Sequence, residues 1–189
     1  KTRKDTKFVS INSVKTGYSA IADEWLGIRP GTDGLFIHSI IYELLKANKI
    51  DWKYLHRYTN ANWLVINNPG KSDHGLFIRD KNNNPLIFCE KNKQIQNISI
   101  KASRPSFFGN YEYNEKNLIP AFELISKDLL NDEFKPSKVS SQIDIDENVI
   151  KRIASEIAET AFEKEIELPF EWTDMNGVKH KKMIGRPVS

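Results

Sequence analysis

Cysteine and long apolar runs are scarce in this sequence. Its 189 residues contain one cysteine, Cys89, and 2 methionines. A single thiol cannot form an internal disulfide, and it cannot supply a Cys-rich zinc site or a cluster held by several thiolates. No apolar run approaches the roughly 20 residues of a membrane span, and residues 1–5 lead into no apolar stretch of signal-peptide length. The sequence therefore predicts neither a membrane span nor a secretory signal.

The excess of positive charge is also small. The chain has 28 Lys+Arg against 25 Asp+Glu, a formal net charge of +3, with small basic clusters at 1–7 and 179–182. A dedicated nucleic-acid binder carries a strong basic patch, so we expect no nucleic-acid partner.

The length and composition fit one domain with a real core, since 39% of the residues are hydrophobic and 11% are aromatic. The chain does not begin with Met, and from this we expect a segment of a longer protein.

The first 60 residues alternate between strand and helix patterns. Residues 8–11 and 24–28 read as strands, each followed by a polar loop. Apolar residues at three-and-four spacing over 35–45 predict a helix, with Thr32 or Asp33 as its N-cap. Asp51 would cap a short second helix at 52–58. Strand, loop, strand, loop, helix is typical of an α/β layer.

The rest of the chain adds β-hairpins and two helices. Apolar residues at 76–78 and 86–88 flank a very polar turn and predict a hairpin, after a strand at 63–66. Helical spacing recurs at 121–130 and again after Asp144 or Asp146. Asn176-Gly177 predicts a hairpin turn between 168–172 and 178–184. We therefore predict an α/β fold with a small, partly parallel sheet, flanking helices and an inserted antiparallel β-hairpin region.

Catalytic motifs are absent. The 4 histidines, at 38, 56, 74 and 180, have no metal-ligand spacing, and there is no nucleophile elbow, Walker loop or Gly-x-Gly-x-x-Gly. Cys89 lies in an apolar strand, which favours packing over nucleophilic attack. We predict that this chain holds no catalytic residue and no metal ligand, which disfavours a free-standing nucleotide hydrolase.

Two loops are better candidates for binding. Residues 12–16 follow the first strand and residues 29–33 precede the long helix. Ligands of open α/β sheets lie beyond the carboxyl ends of the strands, and a helix N-terminus adds unpaired N–H groups. Asn12 and Thr16 can bind sugar hydroxyls or phosphate, and the carboxylate of Asp33 matches the N1–H and N2–H donors of guanine. The alternative is structural: Asp33 caps the helix and Asn12 shapes a turn.

These loops carry a family resemblance. Asn12-Ser13-Val14-Lys15-Thr16 and the specific run Ala22-Asp23-Glu24-Trp25-Leu26-Gly27-Ile28-Arg29-Pro30-Gly31-Thr32-Asp33-Gly34 resemble the molybdopterin oxidoreductases of the dimethyl sulfoxide reductase superfamily. Residues 50–59 and 150–154 are similar to later parts of that pattern. The resemblance covers about 8–60 and 144–162, and it implies part of a Rossmann-like nucleotide-binding domain.

The resemblance also implies a cofactor and its site. The two loops would bind the guanosine end of a molybdopterin guanine dinucleotide, held with molybdenum or tungsten in the parent enzyme. The implied contact residues are Asn12, Ser13, Val14, Lys15, Thr16, Gly31, Thr32 and Asp33. Ser13 and Val14 depart from the Pro and Arg of many members, so Val14 would contribute through its backbone.

The metal ligand, a 4Fe-4S cluster and the electron-transfer path would belong to the rest of the parent chain and to an electron-transfer subunit. The parent would be cytoplasmic or periplasmic in a bacterium, and the isolated chain is expected to be inactive. We predict an organisation of 1–60 with the cofactor loops, 61–117 as an inserted β-rich region, 118–165 as a helical part and 166–189 as a C-terminal hairpin.

A second hypothesis is a non-enzymatic interaction module. Its docking surfaces would be the hairpins at 75–89 and 168–184, with aromatic anchors at Trp63, Phe107, Phe108, Tyr111 and Tyr113. The alternative for these rings is packing inside the protein. Because an excised sheet exposes strand edges, we also expect the isolated chain to self-associate.

Overall fold

A computed structural model describes residues 6–98, 104–167, 170–174, 176–180 and 183–185. The helices are α1 Asp33–Lys46, α2 Trp52–Tyr58, α3 Ala121–Leu129, α4 Pro136–Ile143 and α5 Glu147–Phe162. The strands are β1 Val9–Ile11, β2 Glu24–Leu26, β3 Leu64–Ile66, β4 Leu86–Cys89, β5 Gln94–Asn97, β6 Tyr111–Tyr113, β7 Lys116–Pro120, β8 Glu165–Glu167, β9 Trp172–Thr173, β10 Lys179–His180 and β11 Met183–Gly185.

The chain divides into two compact units. Residues 1–49 and 131–189 form unit 1, and residues 50–130 form unit 2. The organisation in four parts drawn from the sequence stays a prediction.

Unit 1 contains the parallel pair β1–β2, in which Ser10 pairs with Trp25. Three helices, α1, α4 and α5, pack around a shared apolar cluster. The cluster is formed by Ile28, Phe36, Ile40, Val139, Ile143, Ile145, Ile150, Ile153 and Ala154. The α/β class predicted from the sequence, with a small parallel sheet, helices and antiparallel hairpins, is confirmed.

Two helix starts show how local sequence shapes unit 1. The side chain of Asp146 accepts a hydrogen bond from Asn148 N and so caps α5, as one of the two predicted capping residues. The other, Asp144, instead ends α4 in a left-handed conformation with φ +62°. Helix α4 was not predicted, although Pro136 at its first position and buried Val139 and Ile143 are typical signals.

Unit 2 is built on antiparallel strands. Strand β7 lies between β3 and β6, and β4 pairs with β5. The predicted hairpin between 76–78 and 86–88 is wrong in its main pairing, since β4 runs against β5 instead. The segment before the turn makes isolated bridges at Phe77 and Arg79. Side-chain patterns could not choose between these partners because both are short and apolar.

The C-terminal part of the chain forms two short antiparallel pairs. Strand β8 pairs with β11 and β9 pairs with β10. Gly177 has φ +77° in the turn, as the Asn-Gly signal predicts. Parts of the predicted strands at 168–172 and 178–184 lie outside the described residues.

Candidate functional site

Both predicted loops leave the same edge of the parallel pair β1–β2. The strands run in register and in one direction, so their carboxyl ends coincide. Asn12 N donates to Leu26 O at 3.1 Å, which extends the pairing by one residue beyond the ends of the strands. Residues 12–16 therefore start beside the end of β2, from which the chain continues towards residues 29–33. This is the edge of an open α/β sheet where ligands bind.

The loop at 12–16 is exposed throughout. Asn12 Oδ1 accepts a long hydrogen bond of 3.4 Å from Val14 N, and Thr16 N donates to Val14 O at 3.0 Å. Asn12 thus shapes a turn, as the structural alternative expected. Its amide nitrogen has no partner among the described residues and can still donate to a ligand.

Lys15 supplies the positive charge of this loop. Its Nζ lies 5.8 Å from the ring centroid of Trp25, a cation–π distance. Trp25 in turn lies against Gly27, where an added Cβ would come within 2.9 Å of the indole. The ammonium therefore stays near the end of β2, where it could face a phosphate.

The loop at 29–33 turns into α1 through a compact set of backbone contacts. Thr32 donates to Arg29 O through both its N–H, at 3.3 Å, and its hydroxyl, at 2.7 Å. Thr32 occupies the N-cap position, but its side chain accepts no hydrogen bond from the helix. The capping role expected of Thr32 or Asp33 is thus not filled by either side chain.

Asp33 is the first residue of α1 and its carboxylate is exposed. Within the described part of the chain, no hydrogen bond or ion pair engages this carboxylate. The N-terminal N–H groups of a helix have no intrahelical partner, and they favour negative charge. Asp33 therefore presents two acceptor oxygens to solvent at a position where its charge is stabilised.

Glycines keep the surface beside Asp33 open. Gly31 has φ +78°, a left-handed conformation that favours glycine. A Cβ added at Gly31 or at Gly34 would meet no atom within 4 Å. A flat base could approach the backbone here without obstruction. The open glycine surface and the unpaired carboxylate fit the guanosine end of a dinucleotide.

Sequence reasoning missed one charged pair beside these loops. Arg29 forms a two-point ion pair with Asp144, and its N–H donates to Ile143 O at 3.0 Å. The two charged residues are 115 positions apart. No local pattern could have connected them.

The other candidate groups do not assemble a catalytic centre. Cys89 is buried at 2% exposure, and the backbone N–H of Arg104 lowers the pKa of its thiol. His180 contacts Asp174 at 3.0 Å, and this hydrogen bond lowers the pKa of Asp174 to about 2. Among the residues that the structure describes, no group of three or more His, Cys, Asp or Glu could hold a metal ion. Likewise, no described helix is long and apolar enough to cross a membrane.

The aromatic residues of the second hypothesis lie in unit 2. Phe107 and Phe108 both contact Trp52, and Tyr111 stacks on Phe88 with centroids 3.9 Å apart. Four of the five anchors are half-buried, namely Trp63, Phe107, Tyr111 and Tyr113. Phe108 is 50% exposed. These contacts favour packing for most of the rings.

Comparison with known proteins found relatives among dehydrogenases. Over 197 residues and 99% of this chain, it is 36% identical to a sulfite dehydrogenase, in its A chain, from Allochromatium vinosum. It is 34% identical over 77 residues to the nitrate-inducible formate dehydrogenase major subunit of Escherichia coli, and 37% identical over 71 residues to the formate dehydrogenase-O major subunit of that organism. The two formate dehydrogenase alignments cover 41% and 38% of this chain.

The chain spans a small part of each relative. The aligned regions make up 20%, 8% and 7% of the three proteins, respectively. No family model matches the chain.

Proposed function

We propose that this chain is a cofactor-binding portion of a molybdenum-dependent oxidoreductase and that it holds the guanosine end of a molybdopterin guanine dinucleotide. The names of its relatives, sulfite dehydrogenase and formate dehydrogenase, support a molybdenum-dependent oxidoreductase family. The guanosine assignment rests on one observation: two open loops leave the same edge of β1–β2, and the unpaired carboxylate of Asp33 stands beside them.

The proposed contacts follow from the chemistry of each side chain. The carboxylate of Asp33 accepts from the N1–H and N2–H groups of guanine, a charge-assisted pair of hydrogen bonds. Gly31 and Thr32 bring the backbone next to the base without a large side chain. Asn12 and Thr16 bind ribose hydroxyls or phosphate, and Lys15 offsets the phosphate charge. Ser13 and Val14 contribute through their backbone.

The bound cofactor would supply the oxygen-atom or electron-transfer chemistry at molybdenum or tungsten. The contribution of this chain is to bind and orient one end of that cofactor. The remainder of the parent protein is proposed to hold a 4Fe-4S cluster and the metal ligand, and to contact an electron-transfer subunit. Sulfite and formate, which the relatives' names mention, are the first substrates to test on that protein.

The test replaces Asp33 in the full-length oxidoreductase that contains this chain. Asp33→Ala removes both acceptor oxygens, whereas Asp33→Asn keeps one acceptor and turns the other into a donor facing a guanine donor. A hydrogen bond to a charged group contributes about 1.5–3 kcal/mol. We therefore expect the guanine nucleotide released by acid from each purified variant to fall roughly tenfold or more under limiting cofactor supply.

Glu43→Ala is the matched control. Glu43 lies on the same helix ten positions later, about 15 Å along the axis. This variant should load the cofactor as the wild type does. Normal nucleotide content in Asp33→Ala would refute the assignment of Asp33. An equal loss in Glu43→Ala would show that helix charge in general, and not the guanine contact, sets the loading.

A further inference from the structure

Arg29 makes three contacts with the end of α4. Its N–H donates to Ile143 O at 3.0 Å, and its Nε and Nη2 donate to the two carboxylate oxygens of Asp144 at 3.1 and 2.8 Å. An arginine fork on a carboxylate is the ion-pair geometry with the greatest strength and directional specificity. The loop that opens α1 is therefore tied to a helix end that is distant in sequence.

The carbonyl of Arg29 transmits this placement to the start of α1. Both the N–H and the hydroxyl of Thr32 donate to Arg29 O, and Thr32 O accepts from Phe36 N at 3.2 Å. Gly31 and Asp33 lie within or directly after this closed set of hydrogen bonds. A displacement of Arg29 would therefore move the residues proposed to meet the guanine base.

Asp144 is itself held in place. It ends α4 in the left-handed conformation, and its N–H donates to Ser140 O at 3.1 Å. Val139 and Ile143, on the same helix, are fully buried in the cluster that also contains Phe36 of α1. The carboxylate thus offers Arg29 a partner on a helix that is packed against α1.

We propose that Arg29 is a positioning residue: its ion pair with Asp144 holds residues 29–33 in the conformation that accepts the guanine edge. This inference rests on the proposed function of the loop. Arg29 and Asp144 are 52% and 59% exposed. Solvent screens a pair this exposed, so its loss should lower the bound fraction at limiting cofactor by roughly two- to fivefold, less than the loss of Asp33 itself.

The experiment uses the full-length protein with Arg29→Gln, Asp144→Asn and the double variant. Asn tolerates the left-handed backbone of position 144, so Asp144→Asn removes the charge without straining the turn. The measurements are the guanine nucleotide released by acid at limiting cofactor supply and the unfolding temperature of the cofactor-free protein. Lys151→Gln is the control, because it breaks an exposed ion pair with Glu147 in the same unit.

We expect each single variant to lose nucleotide two- to fivefold and the double variant to lose no more than either single one, since both break the same pair. The unfolding temperature should stay near that of the wild type, and Lys151→Gln should load normally. Unchanged loading in both single variants would overturn the proposal. So would a loss in Arg29→Gln alone, which would indicate direct contact with the cofactor.

Two further outcomes distinguish the positioning role of Arg29 from a general structural role and from the role of Asp33. A lower unfolding temperature in the cofactor-free variants, in proportion to the lost nucleotide, would show a general structural role and overturn the positioning role. If Asp33→Asn loads poorly while the Arg29 and Asp144 variants load normally, the positioning role fails and the proposed function stands. If Asp33→Asn loads normally, the proposed function fails by itself.

Discussion

Four charges connect β2 to α5, and Arg152→Met tests what they contribute. Arg152 donates to Glu24 and, at 2.7 Å, to Glu156. Lys7 reaches the same two carboxylates at 2.9 and 2.7 Å. Met retains most of the aliphatic stem of Arg and removes the guanidinium. The variant therefore leaves both glutamates with Lys7 as their remaining partner in this network.

The expected loss of stability follows from exposure. An exposed ion pair contributes about 0.2–1 kcal/mol, and Arg152 makes two. Glu24 is 25% exposed and Arg152 and Glu156 are each 37% exposed, so solvent screens both pairs in part. We expect Arg152→Met to lower the free energy of unfolding by about 1–2 kcal/mol at neutral pH and low salt.

The pH dependence gives the sharper test. The hydrogen bond from Lys7, opposed by burial and aided by Arg152, lowers the pKa of Glu24 below its usual 4.5. Burial opposes the shift at Glu156, but hydrogen bonds from Lys7 and Arg152 still lower its pKa. A carboxylate with a lowered pKa in the folded state contributes stability above its unfolded pKa and loses it as pH falls through the folded value. The difference between wild type and variant should therefore shrink below pH 4.5.

Urea unfolding of the chain, followed by circular dichroism, measures this difference. Urea is preferred because guanidinium chloride would screen the charges. Lys151→Met is the control, since its exposed pair with Glu147 should contribute about 0.5 kcal/mol or less. An equal difference at neutral and acidic pH, or one that persists in about 1 M salt, would refute the electrostatic reasoning.

Two further variants test packing in unit 1. Ile150→Ala empties a fully buried position between α5 and its neighbours and should cost about 2–5 kcal/mol in urea unfolding, whereas exposed Lys151→Ala should stay within about 0.5 kcal/mol; equal effects would contradict the assigned core. Gly27→Ala should displace the indole of Trp25, change its fluorescence and cost about 1–3 kcal/mol. Gly34→Ala, with open space around its Cβ and a helical backbone, should instead stabilise by up to about 1 kcal/mol; a loss there would contradict the geometry.

Local signals predicted much of unit 1. The three-and-four spacing over 35–45 corresponds to α1, and Asp51 caps α2 by accepting from Tyr54 N, as expected. These elements are decided within a few residues, because caps and helical faces depend on neighbours one or two turns away. Helix α4 was missed although Pro136 marks its start, since its eight residues carry few apolar positions.

Strand pairing in unit 2 was harder to predict. The polar residues at 79–85 do reverse the chain, and Asp80 accepts hydrogen bonds from the backbone of Asn82 and Asn84. The turn does not determine which strand β4 joins. That choice depends on which edge offers complementary packing, and β5, of mixed polarity, has no strong alternating pattern of its own. The eight cofactor contacts derived from the resemblance stay a prediction.

The sequence by itself determined the helices with clear caps and apolar faces, the class of fold and the two loops beside the first strands. Each of these depends on residues that are close together in the chain. The tertiary structure alone decided that β1 and β2 are parallel and in register, that the carboxylate of Asp33 has no partner among the described residues, and that Arg29 meets Asp144. Pairs so far apart in sequence leave no local pattern, because their contact depends on how whole helices and strands pack.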